Sequence, residues 1–427
     1  MLEGIKKKSS YLVVDRITRF AVSLFSGAII ARALGPEEFG FFAQMLLGLS
    51  LFDAISGLGI GGVIAARVTQ MRIDKRSKFL LIATSIRMAF TFVLLVIFLV
   101  SAKILFPDKI FMFNEFLLIA IFVGILFNNW LIMEGYLNGV GSPHHAAISK
   151  SLISIFALII RLIYINNHEA SIEGFIIIFL VEQLLLTLLL MFLSFRSQSK
   201  DRDAVETKII LNLFPYTLTM WMSQLATLVY MRVDQVVLSI YASKSVVGMY
   251  MLSIGIVELT FSIPIMMNAI LISYIGSIRA NKKISSTDFY KRMTNFYRIG
   301  FYISLLLVLI LIIVSEFFII LMYGEQFMDA IPIFRILILS LPFVTIGSIQ
   351  LLSIYTGDDP YIHLRKTINV AVITPFIAFA GWNTFGVYGL AWSVVLSQAI
   401  GCYFINFYYD FNSFKSQSYA IFLKGSR

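Results

Sequence analysis

The stretch Arg298–Leu321 reads RIGFYISLLLVLILIIVSEFFIIL, and it decides the solvent in which this chain folds. Between Arg298 and Glu316 it carries no charge. A run of about 20 apolar residues, wound as an α-helix, matches the roughly 30 Å hydrocarbon core of a bilayer. Outward from that stretch the same character covers the chain: 59% of its 427 residues are hydrophobic, 14% are charged, and the mean hydropathy is +0.87. A soluble domain carries about 25% charged residues. This excludes a soluble globular protein, a disordered chain and a nucleic-acid-binding module, despite a net charge of +10. Surplus Lys and Arg in so apolar a chain belongs to cytoplasmic loops facing anionic lipid. One cysteine, Cys402, excludes an internal disulfide framework or a cysteine zinc site, and four histidines are too few for a metal cluster. No cofactor is expected. The start, with Lys6-Lys7-Lys8, lacks a short apolar stretch ending in a small-residue cleavage site, so no removed signal peptide is expected.

Twelve apolar segments follow one another near 12–34, 39–65, 79–101, 114–135, 146–165, 174–195, 213–240, 247–276, 298–321, 331–354, 364–381 and 385–408. Alternate connections hold 25 positive residues, including Lys150 and the Arg365-Lys366 pair, while the opposite set holds only Lys103, Lys109 and Lys244. The positive-inside rule then places both termini in the cytoplasm. The expected fold is an all-α polytopic membrane protein of twelve transmembrane helices. Its parts are an N-terminal six-helix lobe (1–195), a basic cytoplasmic linker (196–212), a C-terminal six-helix lobe (213–409) and a cytoplasmic tail (410–427). The halves are weakly similar. Ala33-Leu-Gly-Pro-Glu-Glu-Phe-Gly-Phe-Phe corresponds to Tyr241-Ala-Ser-Lys-Ser-Val-Val-Gly-Met-Tyr, with Gly40 over Gly248, and Gly141-Ser-Pro143 corresponds to Gly357-Asp-Asp-Pro360. Each half starts and ends inside, so the repeat is parallel, a transporter architecture of two bundles with a cavity between them. No loop exceeds about 20 residues and no phosphate-binding glycine loop is present, which excludes a soluble catalytic domain and ATP-driven transport by this chain alone.

Six arginines remain inside the spans: Arg19, Arg32, Arg87, Arg161, Arg232 and Arg335. An Arg at the centre of a membrane helix costs about 2.5–3.5 kcal/mol on the insertion scale, so each must face protein, water or ligand. Asp15, Arg19, Ser23, Ser26 and Ile30 share one helix face, a polar stripe that either lines a cavity or holds an Asp15–Arg19 pair at the membrane edge. Arg87 has only apolar or small helical neighbours and is expected to face a cavity; Arg161, Arg32 and Arg335 are divided between snorkelling and function. The candidate anion-binding set is therefore Arg19, Arg87, Arg161 and Arg32. Asp53, Glu182 and Glu258 lie well inside their spans, and Glu134 and Glu316 lie near span ends. The deep acids either neutralise the arginines or, with Arg232 and Asp234, form a coupling or gating set. Arg232 and Asp234 fall on different helix faces, so Arg232 is as suited to pairing with another helix as to a ligand. Gly57-Leu-Gly-Ile-Gly-Gly62 below Asp53 permits close helix approach or a bend. Fixed positive charge in a low-dielectric cavity suits an anion such as a phosphate.

Ile29-Ile-Ala-Arg-Ala-Leu-Gly-Pro-Glu-Glu-Phe-Gly-Phe-Phe42 resembles a signature of the polysaccharide transporter family, the O-antigen and related lipid-linked oligosaccharide flippases of the multidrug/oligosaccharidyl-lipid/polysaccharide exporter superfamily. Met231-Arg-Val-Asp-Gln-Val-Val-Leu-Ser-Ile-Tyr241 with Val247-Gly-Met-Tyr250 resembles the seventh and eighth helices of the same family. The resemblance implies a V-shaped two-lobe fold with a cationic cavity, into which Arg19 and Arg87 would fit. It implies flipping of an undecaprenyl-diphosphate-linked repeat unit, in the bacterial cytoplasmic membrane, from the inner to the outer leaflet. Membrane lipids and a polysaccharide polymerase or ligase are the implied partners. The alternative within the superfamily is an ion-coupled small-molecule antiporter using Asp53, Glu182 or Glu258. A membrane glycosyl-polymerising enzyme usually needs a sizeable outer loop, and none here exceeds about 12 residues, so no enzyme is expected.

Overall fold

The computed structural model describes residues 2–71, 73–105, 115–196, 214–280, 285–355 and 361–422. The expected linker beyond Arg196 and the Gly357–Pro360 turn lie outside the described residues. All regular structure among the described residues is helical. The helices are α1 (Leu2–Ser56), α2 (Ile60–Gln70), α3 (Ile73–Leu105), α4 (Glu115–Phe127), α5 (Trp130–Gly139), α6 (Pro143–Asn167), α7 (Ile172–Arg196) and α8 (Phe214–Tyr241). They continue as α9 (Lys244–Thr260), α10 (Ser262–Ala280), α11 (Ser286–Tyr323), α12 (Ala330–Leu337), α13 (Leu341–Tyr355), α14 (Tyr361–Ala399), α15 (Asn406–Tyr409) and α16 (Phe411–Ile421).

Eight stretches of the described residues are long and apolar enough to cross a membrane. The two longest, Val14–Ser56 with 43 residues and Tyr361–Tyr409 with 49, are about twice the length a crossing needs. Each is broken where the sequence places a junction between spans. Gly35 has φ 72° ahead of Pro36, and Phe385–Gly386 leaves helical geometry with Gly386 at φ 58°. Only glycine adopts that left-handed region without strain. At the second break the backbones of Gly381 and Gly389 touch, so the chain reverses there.

The chain forms two compact units, Met1–Leu34 with Met45–Leu225, and Gly35–Gln44 with Ala226–Arg427. In the first unit, Ile64, Val68, Phe79, Leu80, Tyr136, Leu137, Leu186 and Leu190 belong to one buried cluster. Here α2 crosses α5 almost backbone to backbone. A Cβ on Gly135 would stand 2.6 Å from the Gly61 carbonyl, and one on Gly139 2.8 Å from that of Ala65. Lipid offers helices no hydrophobic drive to associate, so small residues that permit close van der Waals contact carry the packing. The Gly57–Gly62 run thus supplies both outcomes open to it, since Leu58 (φ 49°) and Gly59 (φ 64°) also end α1. Asp15 meets Ser151 and Ser26 meets Arg161, so α1 and α6 run parallel.

In the second unit α11 packs on α13 and α16, and α9 on α12. Helix α11 exposes much of its apolar surface and buries two of its serines. Ile299, Ile303, Leu306, Ile310, Ile313, Phe317 and Leu321 form an exposed stripe at helical spacing, while Ser304 and Ser315 are buried. That inversion suits a lipid solvent, in which apolar side chains lose nothing by facing outward. Gly40 lies against Gly248 within this unit: a Cβ on either would overlap backbone of the other's helix, at Lys244 and Pro36. The two glycines matched by the sequence repeat are therefore in contact with each other. Helix α14 passes into a π-turn, Ile400–Phe404, before α15 and α16.

Candidate functional site

Five of the six arginines singled out by sequence occur in this structure as partners of carboxylates. In the first unit, Arg19 forks onto Asp15 through Nε (3.1 Å) and Nη2 (2.9 Å), one helical turn back on α1, and Ser151 donates to the same carboxylate at 2.9 Å. Asp15 is buried and Ser23 of the same stripe is exposed. The Asp15–Arg19 pair of the stripe is thus formed, and Arg19 keeps 36% of its side chain exposed. Arg32 is exposed.

Arg87 on α3 is 4% exposed and donates from Nη2 to Asp53 Oδ1 at 2.5 Å, while Asn128 Nδ2 donates to the same oxygen at 3.1 Å. The neutralising partner that α3 lacks locally is supplied by α1. Arg161 on α6 donates to Glu182 Oε2 on α7 at 2.6 Å and to Ser26 Oγ on α1 at 3.1 Å. In the second unit Arg232 on α8 donates to Glu258 Oε1 on α9 at 2.7 Å. Asp234 is not its partner: it is buried and accepts from Tyr250 at 2.5 Å. Both residues of α8 are thus engaged by α9, Arg232 by Glu258 and Asp234 by Tyr250. All three deep acids, Asp53, Glu182 and Glu258, are paired with arginines, an arrangement common to simple neutralisation and to a gate built of such pairs. Arg335 donates to Ser315 at 2.8 Å and stands 3.8 Å from the exposed Glu316.

Sequence reasoning missed four polar residues. Lys150, assigned to a connection, is buried in α6, pairs with Glu134 and lies over the Trp130 ring. Lys366, also assigned to a connection, is buried in α14 and donates to Gln350 Oε1 at 2.7 Å. Asn128 sits where the expected span 114–135 breaks between α4 and α5. The Asn128-Asn129 dipeptide was the available signal, because amides compete with the helical backbone for hydrogen bonds. Near it a cavity of about 240 Å³ lies within the first unit, with Asp53, Asn128, Trp130, Phe179 and Gln183 among its walls. Gln183 had no signal beyond being polar in an apolar span.

Residues 5–278 match the family described as polysaccharide biosynthesis protein. No curated protein matches the chain. Several solved structures share the fold. A lipid II flippase MurJ in an inward closed conformation gives a TM-score of 0.70 at 16% identity, covering 96% of this chain and 91% of that one. An inward-facing multidrug resistance MATE family transporter of the MOP superfamily gives 0.71 at 18%, over 98% and 100%. A Vibrio cholerae MATE transporter gives 0.67 at 14%, over 99% and 97%. At these identities the likeness is one of fold. With its apolar stretches, the chain is a multi-pass membrane protein built on a transporter fold.

Proposed function

The chain belongs to the polysaccharide biosynthesis protein family, and from that premise we propose that it is a lipid-linked oligosaccharide flippase. Its substrate is an undecaprenyl-diphosphate-linked repeat unit of O-antigen or a related surface polysaccharide. It carries this unit from the cytoplasmic to the outer leaflet of the bacterial inner membrane by alternating access. Twelve crossings with both termini inside complete the arrangement, and a polymerase or ligase consumes the product.

Arg19 carries the reading. Its Nε and Nη2 are spent on Asp15, its side chain is 36% exposed, and Nη1 has no partner among the described residues. A guanidinium held rigid by one carboxylate while presenting a further nitrogen is prepared for a second anion, the diphosphate. Arg32, exposed on the same helix, is the second contact. Arg87 and Arg161 are nearly enclosed and already bound, so their part is to hold α1, α3, α6 and α7 in register. Asp53, Glu182 and Glu258 are engaged by arginines, which weighs against their service as free ion sites for an antiporter. Gating falls to those pairs and to Asp234. With the interior negative, each negative charge carried outward gains about 2.3 kcal/mol per 100 mV, so an anionic lipid leaves without ATP.

The test is the leaflet sidedness of the lipid-linked glycan in cells lacking the chain, complemented with wild type, Arg19→Ala or Arg19→Lys. We expect glycan to stay on the cytoplasmic leaflet in the null. Wild type restores export, and Arg19→Ala lowers its rate about tenfold or more, the loss of one charge-assisted bond. Equal sidedness in null and wild type overturns the flippase reading.

A further inference from the structure

The cavity of about 240 Å³ in the first unit has a lining of two kinds. Phe179 of α7 and Trp130 of α5 supply flat aromatic carbon. Asp53, Asn128 and Gln183 supply planar oxygen and nitrogen groups. We propose that this cavity seats a single uncharged sugar ring of the carried glycan, an inference that rests on the flippase reading above.

Four observations converge on it. The volume is below the roughly 300–1,000 Å³ typical of drug-sized ligands, so it fits one ring and not a repeat unit. The wall is cut by the break at Asn128–Asn129, and an interrupted helix at membrane depth is tolerated where it is buried in protein or lines a cavity. The polar groups have capacity left. Among the described residues, both bonds to Asp53 fall on Oδ1, the buried Asn128 Oδ1 is without a donor, and no hydrogen bond engages the Gln183 amide. Lastly, Asp53 is neutralised by Arg87 at 2.5 Å, so the site presents no net charge to a cation or an anion. A pyranose ring meets each condition. Its C–H face packs on an aromatic ring, and its hydroxyls both donate and accept. Among the described residues no ring stacks on Phe179, which leaves its face for such a partner.

The test measures binding to the purified full-length chain in nanodiscs. The probes are undecaprenyl diphosphate, bare or bearing one glucose, galactose, N-acetylglucosamine or N-acetylgalactosamine. We expect at least one sugar-bearing lipid to bind about tenfold tighter than the bare lipid, the effect of one or two neutral hydrogen bonds with ring packing. Gln183→Ala and Phe179→Leu should erase that gain, and Phe179→Tyr, which keeps the ring, should retain it. The subsite is overturned if no sugar gives a gain, or if the gain survives in both Gln183→Ala and Phe179→Leu. It is also overturned if those variants weaken bare and sugar-bearing lipids alike. Failure of every lipid, bare or sugared, to bind the native chain would instead overturn the flippase reading itself.

Discussion

Buried charge is handled differently in the two units. In the first, Arg87, Lys150 and Arg161, each less than a tenth exposed, meet Asp53, Glu134 and Glu182 across helix boundaries. In the second, the buried ammonium of Lys366 meets an amide, Gln350, at 2.7 Å. From there a chain of amides runs on, touching one carboxylate at its edge: Gln350 Nε2 donates to Asn406 Oδ1 at 2.9 Å and to Asp410 Oδ2 at 3.4 Å, and Asn406 Nδ2 to Gln417 Oε1 at 3.0 Å. Ion pairs tie α1 to α3 and α6 to both α5 and α7, while amides tie α16 back onto α13, α14 and α15. The difference teaches what each network tolerates. Paired charges cancel at short range, but either partner left alone is costly, whereas an amide chain loses one modest bond at a time.

The sharpest way to break this contrast is Arg87→Ala, which strands Asp53. We expect a loss of about 3–5 kcal/mol, read as thermal unfolding in detergent, with much of it recovered in Arg87→Leu/Asp53→Leu. If the double variant is no better than the single, the pair is not acting as a unit. Next comes Lys366→Met, which keeps the stem of the side chain and strands only the Gln350 acceptor. The expected cost is about 1–3 kcal/mol, and Gln350→Leu added to it should recover part. A cost equal to that of Arg87→Ala would erase the contrast. The smallest effect belongs to Arg335→Ala. Its ion-pair partner Glu316 is exposed and 3.8 Å away, and the Ser315 hydroxyl it also meets keeps its bond to the Ile312 carbonyl, so unfolding should change by less than about 1 kcal/mol.

Much of the fold is legible in the chain because lipid imposes a simple rule on composition. Apolar length sets the helices, and the breaks at Gly35-Pro36 and Gly386 fall where span boundaries are expected. The interruption at Asn128–Asn129 is harder to see, since α4 and α5 together have the length of one span. The site is legible in residue type and not in partnership. Arg87 and Asp53 are 34 positions apart, and nothing in either helix specifies that α1 and α3 bring them together. Lys150 and Lys366 mislead for a related reason. A lysine near a span end resembles a loop anchor until tertiary packing encloses it. The Gly40–Gly248 correspondence, read as an echo between halves, is a contact because both positions require an absent side chain at the same crossing.

The π-turn at Ile400–Phe404 holds the only thiol in the sequence. Cys402 Sγ faces Gln398 at 3.7 Å and lies so near Gly347 that a Cβ there would overlap it. The residue is half-buried, and a thiol packed against Gly347 in that way is poorly placed to meet a bulky electrophile. The native chain thus serves as its own silent background for maleimide chemistry. A cysteine introduced on any exposed turn becomes the dominant reactive group, and its labelling from one face of the membrane or the other reports the path of the chain directly.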